Sequence, residues 1–191
     1  MGATCTLFRL SDRSLHELLE EPARLQPFLM GQTTPFTEGL GFLQRLLGKK
    51  PREIRPVTEA REEGDFCELD KAWAAIHFLL TGTPADKLTS SALGFLVSGG
   101  ADVGYTLLDG VHGFRSAEMA AIWDALSKVG ANELRARYAP GEMDRLGVYP
   151  KVWTRDGEAG LEYILNYFGA LRKFVGETVR RERSLLIHLS S

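Results

Sequence analysis

Residues 69–84 read LDKAWAAIHFLLTGTP, and no other stretch of the chain restricts the fold so narrowly. Leu69, Trp73, Ile76 and Leu80 recur at 4-3-4 spacing, the stripe by which an amphipathic helix meets a core. The spacing predicts one helix over Leu69–Leu80. Thr81-Gly82-Thr83-Pro84 ends it, because glycine takes the left-handed position after a helix and proline cannot continue one. Seven residues turn a helix through about 700°, so Asp70 and His77 are expected along one edge with Trp73 between them. A separation of about 10 Å along the axis puts the two beyond a direct hydrogen bond. Such an edge lines a pocket with a carboxylate, an aromatic face and an imidazole. Alternatively, Asp70 caps the helix, Trp73 packs inward and His77 bonds a carbonyl in the core. The residues leave both roles open.

Thr4–Leu10 is short, apolar and rich in β-favouring residues, and reads as a strand. Ser11 or Asp12 then caps a short helix carrying Leu15, Leu18 and Leu19, stopped by Pro22. Leu40, Leu43, Leu46 and Leu47 predict a helix over Phe36–Leu47, with Gly48 after it. In 49–64, nine of sixteen residues are charged, with five basic and four acidic, and two are proline. That mixture predicts a solvated loop inside one domain of 1–191, not a phosphate-tracking arm. Ala92–Val97 fits a short helix or a strand, and Gly99-Gly100 breaks the chain. Tyr105–Leu108 and His112–Arg115 are expected as short strands around Asp109-Gly110. Ser116 suits the N-cap of a helix over Ser116–Val129, with Met119, Ile122, Trp123 and Leu126 on one face. Asn132–Tyr138 and Gly141–Leu146 read as helical turns about Pro140, and Gly147–Trp153 as extended chain. Glu158–Val179 is the longest expected helix. Ser184–Leu189 is apolar enough for a place inside the sheet.

The composition excludes several function classes. A net charge of −2 and a pI near 6.1 argue against an electrostatic nucleic-acid binder. Cys5 and Cys67 have no metal-ligand spacing and read as small hydrophobes. No apolar run approaches the ~18 residues of a membrane span, and no secretory signal precedes Arg9, so a soluble cytoplasmic protein is expected. The phosphate loop, GxGxxG, GxSxG, HExxH and CxxC motifs are all missing, and no cofactor or metal is expected. His16 reads as solvated and His188 as alternating within a strand. His112 follows a turn and could face a cleft. The aromatic pair of Tyr149-Pro150-Lys151-Val152-Trp153 either walls a pocket or clamps a loop to the core, and clamping is preferred.

The segment Leu69-Asp70-Lys71-Ala-Trp73…His77-Phe78-Leu79-Leu80-Thr81-Gly82, followed by Gly99-Gly100, resembles the hallmark of the YfbM-like family, a bacterial domain of unknown function. Phe114-Arg115-Ser116, Tyr149-Pro150…Trp153 and a closing helix and strand follow in the family's order, after Met1-Gly2 leading into a strand. The resemblance spans the chain and implies an α/β fold: a mixed sheet of about four to five strands covered by helices in three layers. It implies no reaction, and marks Asp70, Trp73, His77, Gly82, Tyr149, Pro150 and Trp153 as pattern positions. The charged stretch 49–64 departs from the family pattern. Two functions are expected to compete. One is a binding or protein-interaction module using Asp70, Trp73, His77, Tyr149 and Trp153, with a protein or small-molecule partner. The other is a small-molecule hydrolase with His77 as general base, Asp109 as its acidic partner and Tyr149 or Trp153 as pocket walls.

Overall fold

Three consecutive apolar residues near the end of the chain, Leu185, Leu186 and Ile187, are all fully buried. A strand manages this only with cover on both faces. In the computed structural model, which describes residues 2–37, 53–57, 59, 64–87, 89–105 and 110–190, these residues lie in β7 (Ser184–Ser190), the middle strand of the sheet. β1 (Thr4–Leu10) and β6 (Gly110–Phe114) flank it, and β4 (Phe66–Asp70) and β5 (Ala101–Tyr105) form the edges. The sheet has five strands, within the four to five expected, and lies under helical cover. Every pairing is antiparallel, however, so the sheet is not mixed. The physical reason is that β5 and β6 form a hairpin while β1 and β7 run in opposite directions along their full register. A separate pair, β2 (Phe36–Thr37) and β3 (Glu53–Ile54), is also antiparallel.

Period-2 alternation sorts the side chains between two cores. Cys5, Leu7, Leu185 and Ile187 face one cluster, built with α3 (Ala72–Thr81), α4 (Ser116–Ser127), α5 (Ala131–Arg137), α6 (Pro140–Arg145) and α7 (Trp153–Arg180). Phe8, Leu10 and Leu186 face the other, built with α1 (Asp12–Glu20) and α2 (Leu25–Leu29). The outcome is three layers.

The helix expected over Leu69–Leu80 is really two elements. Phe66–Asp70 is strand, paired to β1 with Leu7 opposite Cys67, and the helix starts only at Ala72. Leu69 is buried in the same cluster as Trp73 and Ile76, so its place on the strand mimics a helical stripe. All of Ala72–Leu80 is buried, which makes α3 a core helix. Its end is as expected: Gly82 sits at φ 73 and its N–H bonds the Phe78 carbonyl at 2.7 Å.

Elsewhere the caps differ in detail. Ser11 caps α1 by accepting from the Ser14 N–H. Ser116 is not the cap of α4; Arg115 holds that position, its N–H donating to Glu118, while Ser116 donates from its N–H and hydroxyl to Asp12. Residues 92–94 form a 3-10 turn. α7 begins at Trp153, five residues before the expected start, and breaks at Gly157 (φ 49). Of the helix expected over Phe36–Leu47, Phe36–Thr37 is strand and the rest lies outside the described residues. Within the charged stretch 49–64, the described Ile54 and Val57 are buried rather than solvated. Glu59 accepts from the Ser11 N–H, the Ser14 hydroxyl and Arg183. Apolar side chains between the charges dock this part of the stretch on the α1 side.

A Cβ at Gly82 would touch nothing within 4 Å, so Gly82→Ala isolates the strain of the left-handed backbone. The expected loss is about 1–2 kcal/mol, read as a lowered urea midpoint with unchanged slope.

Candidate functional site

The corner between β4 and α3 is built on Asp70, a non-glycine residue at φ 43. Its carboxylate does not cap α3. Instead Asp70 Oδ2 accepts from the Tyr163 hydroxyl of α7 at 2.8 Å. Burial, and then the Asp70 carboxylate, push the Tyr163 phenol well above its usual range, so it stays a donor at neutral pH. Tyr163 is further fixed by edge-on contact with Tyr167 at 4.9 Å between ring centroids.

Trp73 turns inward as expected, and its indole N–H donates to the Ala3 carbonyl at 3.2 Å. Its ring stacks on Tyr149 at 6.5 Å and 29°. Gly2 lies so close to this pair that a Cβ there would meet the Tyr149 hydroxyl and come within 2.9 Å of Lys71 Cε. The Tyr149–Pro150 bond is cis, and Lys151 follows at φ 62. Trp153 is buried and donates from Nε1 to the Val148 carbonyl at 2.9 Å. Its backbone N–H and that of Thr154 converge on the Asp144 carboxylate, at 3.1 and 2.8 Å. Hydrogen bonds from Thr154 and Trp153 hold the Asp144 carboxyl below its usual range. Geometrically, the 149–153 segment is clamped down.

These two segments, far apart in sequence, meet at a cleft of about 330 Å³. Lys71, Pro150, Trp153, Arg155, Asp156 and Tyr163 line it. Arg155 is paired with Asp156 at 2.7 Å. Lys71 is exposed and has no ion pair among the described residues.

His77 does not belong to this cleft. The shared edge expected with Asp70 fails, because Asp70 ends a strand and only His77 is helical. His77 is 0% exposed, and among the described residues neither ring nitrogen has a hydrogen-bond partner, so the expected carbonyl bond is missing too. Burial lowers its pKa to about 4. His112 does bond a carbonyl, that of Phe95, at 2.9 Å. His16 is exposed, His188 is half-buried, and Asp109 lies outside the described residues. Among the described residues no three His, Cys, Asp or Glu side chains gather as a metal ion requires. Sequence reasoning missed Tyr163 and Lys71. Tyr163 follows the apolar stripe of α7 with no motif of its own, and 93 residues separate it from Asp70.

The family model of a domain of unknown function, DUF1877, matches residues 1–188. The chain belongs to the DUF1877 family. Protein YfbM of Escherichia coli (strain K12) is 34% identical over 90 residues, covering 44% of this chain and 52% of that relative. The matched region thus spans about half the length of the curated relative. A crystal structure of YfbM from Escherichia coli, titled as a protein of unknown function, matches with a TM-score of 0.65. That match covers 97% of this chain and 99% of the other at 19% identity, a likeness that shows the fold. The YfbM-like resemblance carried by DKxW…HFLLTG therefore holds, and the α/β architecture described above is the DUF1877 fold.

In this DUF1877 chain His77 makes stability depend on pH with a definite sign. Its folded pKa lies below the usual 6.5, so between about pH 6.5 and 4 the unfolded chain takes up a proton that the folded chain refuses. Stability is full above that window and falls through it by up to about 3 kcal/mol. Urea unfolding at pH 7 and pH 4.5 checks this: the wild type loses more over that interval than His77→Leu.

Proposed function

We propose that this chain is a binding module, and that its ligand is a small polar molecule held in the cleft between Lys71–Tyr163 and Pro150–Arg155. The observation that carries the reading is the meeting of an ammonium without an ion pair among the described residues, a fixed phenol and an aromatic wall in one concavity. Its volume of about 330 Å³ falls at the low end for small-molecule sites, which favours a compact ligand over a peptide. The polar groups are few and held from behind: Tyr163 by Asp70, Trp153 by the Val148 carbonyl and Asp144. Binding sites need such support to keep their geometry.

Asp70 and Trp73 serve this site from behind the wall, and Tyr149 serves it by stacking on Trp73. A hydrolase built on His77 has less behind it. A general base must come within hydrogen-bond reach of its substrate, whereas His77 is enclosed and, among the described residues, has no hydrogen-bond partner on either ring nitrogen. No helix among the described residues is long and apolar enough to cross a membrane. The free cysteines, Cys5 buried and Cys67 half-buried, fit a reducing compartment such as the cytoplasm.

Ala159 lines the cleft from an exposed position on α7, so Ala159→Phe plugs it without entering the core. Thermal-shift screening of small polar metabolites is expected to raise the wild-type melting temperature by about 5–10 °C for a ligand at 100 times its Kd. Ala159→Phe and Lys71→Ala, folded as judged by circular dichroism, lose that shift. Equal stabilisation of the wild type and both variants places the ligand elsewhere and contradicts the reading.

A further inference from the structure

A second, more spacious cleft of about 790 Å³ opens on the far side of the sheet's hairpin end, between residues 97–100 and the β5–β6 hairpin. His112 lines it. Its Nε2 lies 2.9 Å from the Phe95 carbonyl, and a carbonyl can only accept. Nε2 therefore carries the ring proton, and Nδ1 of the neutral imidazole is a bare acceptor. Among the described residues no protein group meets Nδ1, and it is not one of the enclosed, unpartnered nitrogens, so it remains open to solvent. Burial lowers the His112 pKa, outweighing the Phe95 carbonyl and Asp102, which keeps the ring neutral at pH 7.

Asp102 sits directly opposite His112 across the strand pair and lines the same cleft. One of its oxygens accepts the Gly104 N–H at 2.8 Å, leaving the other unused by that contact. The Ser98 hydroxyl donates to the Thr89 and Gly94 carbonyls, at 3.0 and 3.1 Å, so it too offers only lone pairs. Gly99 and Gly100, at φ 87 and 69, pave the floor with backbone alone. A side chain is impossible at Gly100, where a Cβ would fall 2.5 Å from the Gly113 carbonyl oxygen. Val97 and Leu189 supply an apolar flank.

Among the described residues, every polar side chain fixed in this wall presents an acceptor. Among the described residues its one charged group is a carboxylate, and no basic side chain lines it. An anion would face Asp102. A neutral alcohol could satisfy one acceptor but not the charge. We propose that this cleft is a second binding site, for a primary alkylammonium, with the –NH₃⁺ between Asp102 and His112 Nδ1 and the alkyl stem along Val97 and Leu189. Three donors on one small cation match the fixed acceptors, and the apolar flank accommodates the hydrocarbon.

The test is an ¹⁵N-resolved NMR titration of the whole chain with n-butylammonium, n-butanol and butyrate as probes. The ammonium shifts the Gly99 and Gly100 amides and the His112 ring nitrogens saturably, whereas the alcohol and the acid at equal concentration do not. Asp102→Asn keeps an oxygen for the Gly104 N–H and should weaken the ammonium roughly tenfold, the loss expected for one charge-assisted hydrogen bond. Ser90→Trp, at an exposed position on the rim, should abolish the shifts by filling the mouth. Equal response to all three probes, no saturable response to the ammonium, or an unchanged titration in Asp102→Asn would each overturn the proposal.

Discussion

The hydrogen bond that Tyr163 donates to Asp70 ties together three parts of the molecule. Asp70 is the last residue of an edge strand, Lys71 leads into the core helix, and Tyr163 belongs to the longest helix. A non-glycine residue in the left-handed region carries a strain of about 1–3 kcal/mol, and surrounding contacts must over-determine it. Tyr163 supplies one of them by donating to the Asp70 carboxylate. The corner is thereby fixed, with Lys71 on the rim of the cleft and Trp73 directed inward to stack on Tyr149.

Much of this fold is legible in the residues. β1 spans Thr4–Leu10 as its composition predicts, and the apolar run of β7 correctly marks a strand inside the sheet. Thr81-Gly82-Thr83-Pro84 ends a helix where it should. The start of that helix is not legible, because Leu69 on the strand and Trp73 on the helix point into one cluster. Periodicity reports which residues share a core, and a strand that turns directly into a helix over the same core counterfeits a continuous stripe. Charge misleads in a similar way at 49–64, where Ile54 and Val57 are buried between charged neighbours. The site is less legible than the fold. Trp73, Tyr149 and Trp153 come together, but Asp70 takes its place through a tyrosine 93 residues away, a contact no local pattern encodes.

Buried polar groups in the molecule are of two kinds. Arg9 is enclosed but fully engaged: its guanidinium lies 3.6 Å from Asp65 and 3.4 Å from Glu177, donates to Thr178 and covers the Phe174 ring at 4.7 Å. Removing one partner of such a buried pair typically costs about 3–5 kcal/mol, so the group holds the end of α7 to β1. His77 is enclosed with no hydrogen-bond partner among the described residues, and each unpaired polar atom there costs about 1–3 kcal/mol. The contrast separates a network that organises the fold from a position the fold tolerates, and it directs functional attention away from the histidine and toward the corner at Asp70.

The central claim is that the Asp70–Tyr163 bond, and not packing alone, fixes that corner. A double-mutant cycle with Asp70→Asn, Tyr163→Phe and the double variant, followed by urea unfolding at pH 7, measures it directly. A coupling of about 1–2 kcal/mol is predicted for this charge-assisted bond at a half-buried site. Losses that simply add, to within about 0.3 kcal/mol, would contradict it and leave the corner to packing.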